Sequence, residues 1–460
     1  VFEIDDTIAA IATPAGAGGV GIIRLSGESA FDVLAAVFQP VSQNADTSHA
    51  RLVPGHIIDK KMTRSLDFVL AVRFESPRSY TGEDVAEIQA HGGRLNLEQI
   101  LQLVVDNGAR PARAGEFTQR AFLNGQMDLV QAEAVRDVIE SQTSAALNVS
   151  RRHLSGDLST LCENLRAKLI KVLAHVEAFV DFPDEQLNVS ETIEHKDRIE
   201  DVLGTLDNML KTYTRGRLLR YGVEAMIIGL PNVGKSSLLN RLLRSQRAIV
   251  TDIPGTTRDL IEGVIELGGI AIRFVDSAGL RSATDGVEAI GVERAWQRLD
   301  NTDIVLWVFD KSCPLDNEEI AIAKKVSGAK GILIENKMDR ESVLSLDAIR
   351  EILPDWPVAT ISAKHGIGLD DLEQTLSCLL DSSQADADTI LLTSQRHQQS
   401  FILAKEALQR AHLTLGTGIF TPELIAADLN DATRQLDDVI GVTTPDDVLN
   451  TIFSSFCIGK

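Results

Sequence analysis

Gly229-Leu230-Pro231-Asn232-Val233-Gly234-Lys235-Ser236 decides the reading of this 460-residue chain. The spacing is that of a phosphate-binding loop, Gly-x-x-x-x-Gly-Lys-Ser. An apolar run, 225–228, leads into it, and Leu238, Leu239, Leu242 and Leu243 lead out at helical spacing. The chemistry needs this strand–loop–helix setting. Glycines let the backbone N–H groups from Asn232 and Val233 through Ser237 turn toward phosphate oxygens, and the helix N-terminus adds positive potential. Lys235 neutralises charge, and Ser236 offers a hydroxyl to Mg²⁺.

Three more segments follow in the order a guanine-nucleotide site requires. Asp276-Ser277-Ala278-Gly279 closes an apolar run, with a Mg²⁺-side carboxylate and a glycine that senses the γ-phosphate. Asn336-Lys337-Met338-Asp339 closes another. A buried carboxylate at Asp339 can accept from N1–H and the 2-amino group of guanine, a donor pair that adenine lacks, and a buried polar group left unpaired discriminates strongly. Ser362-Ala363-Lys364 closes the last run and offers backbone N–H groups to guanine O6. Thr251-Asp252-Ile253-Pro254-Gly255-Thr256-Thr257 fits a first switch, where a threonine hydroxyl completes the Mg²⁺ shell. The position after Gly279 is Leu280, which cannot orient water. Glu288 is the candidate for that task, against the plainer reading of a solvated carboxylate at a helix start. Asn232 either coordinates a monovalent cation through its side-chain carbonyl or merely suits a tight turn. The first alternative predicts K⁺-stimulated hydrolysis.

Working outward, strands expected at 225–228, 270–275, 304–309, 332–334 and 358–361 alternate with helical stretches, which implies a mostly parallel sheet covered on both faces. Helical periodicity flanks this unit. Before it, Leu154, Leu158, Leu161, Leu165, Leu169, Val172, Val176 and Phe179 make one stripe of a single long helix. After it come Phe401, Ala404, Leu408, Ala411 and Leu415, then Ile425, Leu429, Ala432, Leu436 and Val439. One helical domain interrupted by an insertion accounts for both. Residues 1–120 mix strands at 7–13, 21–25, 66–74 and 84–89 with a helix at 95–105, and 382–388 reads as a polar linker.

Composition narrows the setting. A hydrophobic share of 44% with 24% charged residues fits folded protein, and the length implies about 2–4 domains. No apolar run suits a bilayer, and the acidic start is unlike a signal peptide. Four scattered cysteines fit a reducing cytoplasm. The net charge of −21 repels phosphate at long range, so any RNA contact needs a local basic patch. Arg215-Gly216-Arg217-Leu218-Leu219-Arg220 and Arg151-Arg152-His153 are candidates, though solvated helix surface explains either one alone.

Four further stretches carry a resemblance: residues 7–14 with 18–27, 80–93, 115–124, and the terminal Ser455-Phe456-Cys457-Ile458-Gly459-Lys460. With the nucleotide motifs, they resemble the tRNA-modification GTPase family MnmE, also called TrmE, over nearly the whole chain. The resemblance implies a multidomain α/β plus all-α chain. A Ras-like G domain (218–381) would be inserted in a helical domain (122–217 and 382–460), behind an N-terminal α+β folate-binding and dimerising domain (1–121). It implies a K⁺-stimulated GTPase that, as a homodimer or in a heterotetramer with a flavin-dependent MnmG-like partner, modifies the wobble uridine of tRNA at C5. The one-carbon unit would come from 5-formyl- or methylene-tetrahydrofolate. By the same resemblance Asn232, Thr251, Ile253 and Thr256 hold K⁺, Ser236 and Thr257 hold Mg²⁺, and Glu288 serves catalysis. Arg24, Glu87 and Lys460 hold the folate, and Cys457 serves modification. Read on its own, Cys457 is either a thiol near a ligand or a buried apolar cysteine. Ala17, Gln126 and Ser277 stand where the family usually has arginine, lysine and threonine. The competing readings are a regulatory or ribosome-assembly GTPase, which calls for a basic RNA-binding appendage, and a one-carbon transfer enzyme under GTP control.

Overall fold

The computed structural model describes residues 6–42, 44, 46–59, 64–181, 189–244, 261–275, 299, 302–380, 389–416 and 421–460. The chain divides into two compact units. The first takes Val1–Ile139, Arg152–Gly204 and Ser400–Lys460; the second takes Glu140–Arg151 and Thr205–Gln399. The expected linker at 382–388 lies outside the described residues.

The first unit opens with β1 (Ile8–Ile11), β2 (Val20–Ser26), α1 (Ala30–Val37), β3 (Phe38–Pro40), β4 (Val53–Asp59), β5 (Arg64–Phe74), β6 (Val85–His91), α2 (Arg94–Asp106) and β7 (Arg110–Pro111). The seven strands run β3-β4-β5-β6-β2-β1-β7, antiparallel except for the parallel pair β1·β7. Period-two alternation sends Ile23, Leu25, Ile57, Val69 and Ile88 into a core closed by Val33 and Leu34 of α1 and Ile100 and Val104 of α2. Ile8 and Ala10 alternate to a second cluster, with Phe117 and Tyr80. Phe117 belongs to α3 (Glu116–Leu123), a helix whose residues through Ala121 are all buried.

The helices that follow are α4 (Leu129–Glu140), α5 (Ser144–Leu154), α6 (Asp157–Asp181) and α7 (Val189–Tyr221). The expected single helix through Leu154 is therefore two. Ser155 and Gly156 break it, Leu154 is exposed, and the buried stripe of α6 starts at Leu158. Cys162 joins that stripe, which a leucine count alone overlooks.

The second unit is built on β8 (Val223–Ile228), α8 (Lys235–Arg244), β9 (Ile261–Leu267), β10 (Ile270–Val275), β11 (Ile304–Asp310), α9 (Asn317–Val326), β12 (Gly331–Asn336), α10 (Asp347–Ile352), β13 (Val358–Thr360) and α11 (Leu369–Leu379). The order is β13-β12-β11-β8-β10-β9, parallel throughout except for β9, an antiparallel edge strand absent from the sequence expectation. Ala225, Ile227, Leu306 and Val308 face one core, under α8 and α11. Met226, Ile228, Trp307 and Phe309 face another, under α9 and α10. Burial on both faces is what near-continuous apolar strands demand. This is the Ras-like G domain.

The chain ends in α12 (Gln395–Gly416), α13 (Pro422–Ile440) and α14 (Asp446–Ser454). Every member of the two expected C-terminal stripes is buried. In the first unit α13 packs along α6, with Arg166 paired to Asp437 at 2.6 Å. Among the described residues no helix is long and apolar enough to cross a membrane.

Candidate functional site

The phosphate loop lies between β8 and α8, and its glycines are fixed by their neighbours. A side chain on Gly234 (φ 107°) would place its first carbon 2.2 Å from Asn336 Nδ2; one on Gly229 (φ 143°) would meet the Val308 carbonyl at 2.2 Å. Both positions also demand the left-handed region that only glycine enters freely. Asn232 turns at φ 62°, which meets the tight-turn requirement, and its side chain is exposed. Lys235 Nζ donates to the Gly229 and Leu230 carbonyls at 2.8 and 2.9 Å, so the ammonium sits across the mouth of the loop. Ser236 and Ser237 are exposed at the first turn of α8. Helix-start N–H groups and a cation are thus gathered at one place, a setting for polyphosphate.

Asn336, at the end of β12, ties this loop to the base-recognition segments. Its Nδ2 donates to the Val233 carbonyl at 2.7 Å, and its Oδ1 accepts from Ala363 N–H at 2.9 Å. Ser362 is fully buried and donates to Asp339 Oδ1 at 2.6 Å. That hydroxyl, with the charges of His365 and Arg340 behind it, holds the Asp339 carboxyl below its ordinary value. Asp339 is not buried, contrary to expectation: about a third of its side chain is open, and His365 Nε2 stands 3.9 Å away. A residue that closes over a base rather than under a core has to reach solvent. Lys337 takes φ 64° and pairs with Asp310 at 2.5 Å. Burial alone would raise the Asp310 carboxyl, but the Lys337 ammonium and the Ser312 donors outweigh it and hold it at about 2. Sequence reading missed Asp310, although an acid ending a buried strand was the available signal. Met338 and Lys364 are exposed beside these groups. Thr251, Asp252, Ile253, Pro254, Gly255, Thr256, Thr257, Asp276, Ser277, Ala278, Gly279 and Glu288 lie outside the described residues.

A second cluster belongs to the first unit. Arg24 and Glu87 face each other across β2 and β6 and pair at 2.8 Å, both mostly buried. The Arg24 guanidinium lies 5.2 Å from the Tyr80 ring centre and 5.7 Å from that of Phe117. Residues 457–460 come back to this place: Ile458 bridges to Ala114, Gly115 N–H donates to the Cys457 carbonyl at 3.4 Å, and Phe117 N–H donates to the Lys460 carbonyl at 3.2 Å. Lys460 is half-buried; burial and then the Arg24 charge push its ammonium down, against Cys457 and Glu87. Arg24, Glu87, Lys460 and Cys457 are therefore neighbours. Cys457 is exposed, which removes the buried-cysteine alternative. Gln126 is exposed too, its amide against Gly82. Tyr80 and Phe117 complete the cluster and were not singled out from sequence.

Below α3 runs an ionic network. Arg120, 3% exposed, reaches Asp6 at 2.5 Å, Glu83 at 3.2 Å and Glu116 at 3.4 Å, and Arg110 grips Asp6 and Glu116 at 2.6 and 2.7 Å. Such a network fixes the platform on which the Arg24 cluster stands.

Comparison with known proteins decides the family. Residues 129–457 match the MnmE helical domain, and residues 7–126 match the GTP-binding protein TrmE N-terminus. The tRNA modification GTPase MnmE of Natranaerobius thermophilus is 40% identical over 99% of this chain and 100% of its own length. That of Geobacter sulfurreducens is 42% identical over the same shares. The chain belongs to the MnmE family.

Solved structures that resemble it include an Aquifex aeolicus Era variant bound to GDP·AlF4−, at 26% identity over 40% of this chain and 66% of that one, with a TM-score of 0.27. The Methanococcus jannaschii FeoB G-domain matches at 24% identity over 35% of this chain and 97% of that one, with a TM-score of 0.26. The MnmE helical-domain match begins before β8 and ends after α14, so it brackets the nucleotide sheet.

Proposed function

We propose that this member of the MnmE family, a GTP hydrolase, acts on tRNA and modifies the wobble uridine at C5 with a flavin-dependent partner and a folate one-carbon unit. The reading leans on one observation above all. Asp339 is aimed by a buried serine and joined, through Asn336, to the loop that would cradle the triphosphate. Two donors on one edge of guanine match its carboxylate, and adenine has no such pair.

The geometry above and the family resemblance support the following roles. Val233, Gly234, Lys235, Ser236 and Ser237 hold phosphate, with Ser236 and Thr257 on Mg²⁺. Asn232, Thr251, Ile253 and Thr256 hold K⁺, which would supply positive charge beside the phosphates. Glu288 positions water, since Leu280 cannot. The Arg24–Glu87 pair and Lys460 fit a folate: a cation backed by aromatic rings suits an anionic, flat ligand, and the carboxylate can take its ring N–H groups. A bound folate supplies the carbon unit, and Cys457 stands exposed at the rim. Domains at 1–121, 122–217 with 382–460, and 218–381, a homodimer, a heterotetramer with the flavin protein, and a cytoplasmic setting complete the proposal.

Calorimetry with GTP and ATP tests the carrying observation. GTP should bind at least about a hundredfold more tightly than ATP; equal affinities would remove the basis of the reading.

A further inference from the structure

The second unit carries a polar groove of about 430 Å³ where α7 meets β8. Tyr213, Arg217 and Tyr221 of α7, Arg273 of β10 and Gln395 of α12 line it. The groove is held open by its own bonds. Arg273 donates to the Tyr221 carbonyl and reaches Gln142 at 3.4 Å, and the Arg220 guanidinium lies 4.9 Å from the centre of the Tyr221 ring. Leu392 N–H donates to Thr212 Oγ1 at 3.0 Å, which draws the start of α12 beside α7. Two acids also line it, but Asp303 is engaged with the backbone: its Oδ2 accepts from Glu224 N–H at 3.0 Å. Arg217 stands 3.8 Å from Asp303, beyond hydrogen-bond range, so that pair does not consume the guanidinium donors.

We propose that this groove docks an unpaired stretch of RNA, an inference that rests on the tRNA reading above. Three features favour that occupant over a protein segment. Tyr221 is 47% exposed, and an accessible ring beside arginines is what stacks an unstacked base. Arg217 and Arg273 of the groove, with Arg220 beside Tyr221, outnumber Glu224 and Asp303 on a chain of net charge −21, which repels phosphate over most of its surface. Tyr213 and Gln395 offer hydroxyl and amide groups to base edges and 2′-hydroxyls. An acidic peptide would find the charge but no use for the ring, and an apolar one would find no apolar floor.

The test is fluorescence anisotropy on the full chain, titrated into a labelled RNA hairpin with an unpaired loop, and into a blunt duplex of the same stem, at several salt concentrations. Wild type should prefer the hairpin. Tyr221→Ala should weaken hairpin binding about tenfold and leave duplex binding unchanged. Arg217→Gln should weaken it and lower the salt slope by about 1. Glu224→Gln, which removes a negative charge from the groove, should tighten it about two- to threefold. GTP turnover should match wild type in all three variants and so reports that each is folded. Variants that bind the hairpin as wild type does overturn the groove and leave the tRNA reading standing. A wild type that binds neither RNA overturns both.

Discussion

Ser362 shows how a base-reading carboxylate is made ready. Its buried hydroxyl occupies one lobe of Asp339 Oδ1 and leaves the carboxylate turned outward, so the residue is oriented before a base arrives. Ser362→Ala should lower GTP affinity about 5- to 30-fold, the equivalent of about 1–2 kcal/mol for a lost bond to a charged group, without changing ATP binding. Displacement of a fluorescent guanine nucleotide measures it, and an unchanged Kd would mean that Asp339 needs no such support. At this scale the motif residues were legible because their chemistry is local: a glycine, a lysine and a serine at fixed spacing. What holds them was not. Nothing in the spelling of Asn336 says that its amide spans from the Val233 carbonyl to Ala363 N–H, because that depends on three strand ends arriving together.

Among the elements, period decided what could be read. The parallel strands stood out as short apolar runs buried on both faces, and the helices α6, α12 and α13 repeat at 3.6 residues with apolar members inward. β9 was missed because an edge strand alternates only weakly and pairs antiparallel by a short turn at Gly268-Gly269. Helix α3 was missed for the opposite reason: it buries Glu116, Thr118, Gln119 and Arg120, so a search for an apolar face finds none. Of these, Glu116 and Arg120 are held by the ionic network and Thr118 by the Tyr80 hydroxyl, and the network has a pH consequence. Burial would raise Glu116, but Arg110 and the Arg113 N–H outweigh it and hold the carboxyl at about 2. A carboxyl depressed in the folded state stabilises at pH values above its unfolded pKa, and that stabilisation is lost as pH falls through the folded value. The window therefore runs from about 4.3 down to about 2. Urea midpoints of Glu116→Gln should lie below wild type at pH 7 and converge with it toward the acid end of that window. Parallel curves would show that the charge is not what matters.

For the molecule as a whole, two separate chemistries are carried on one chain, and they should come apart under substitution. Cys457→Ser should abolish wobble-uridine modification, read by nucleoside analysis of tRNA, while GTP turnover stays within about twofold of wild type, because Cys457 belongs to the first unit and the phosphate loop to the second. Loss of both activities together would contradict the division. The nucleotide site should also answer to the cation: turnover in KCl should exceed that in NaCl at least about tenfold, and Asn232→Ala should flatten the difference. Equal rates in the two salts would leave Asn232 as a turn residue only. Helical periodicity stops before the strands and resumes after them, which is what suggests an insertion from the sequence. That residues 457–460 bond to Ala114, Gly115 and Phe117 is something no side-chain pattern announces, because the bonds are backbone ones.

The bridge between Ala114 and Ile458 has a bearing on how the protein is made. The two segments of that bridge are translated on either side of the G-domain message, so the ribosome must deliver the whole nucleotide unit before Lys460 can settle beside Arg24. A nascent chain stalled after the second unit but short of residue 457 would offer a phosphate loop but no finished amino-terminal cluster.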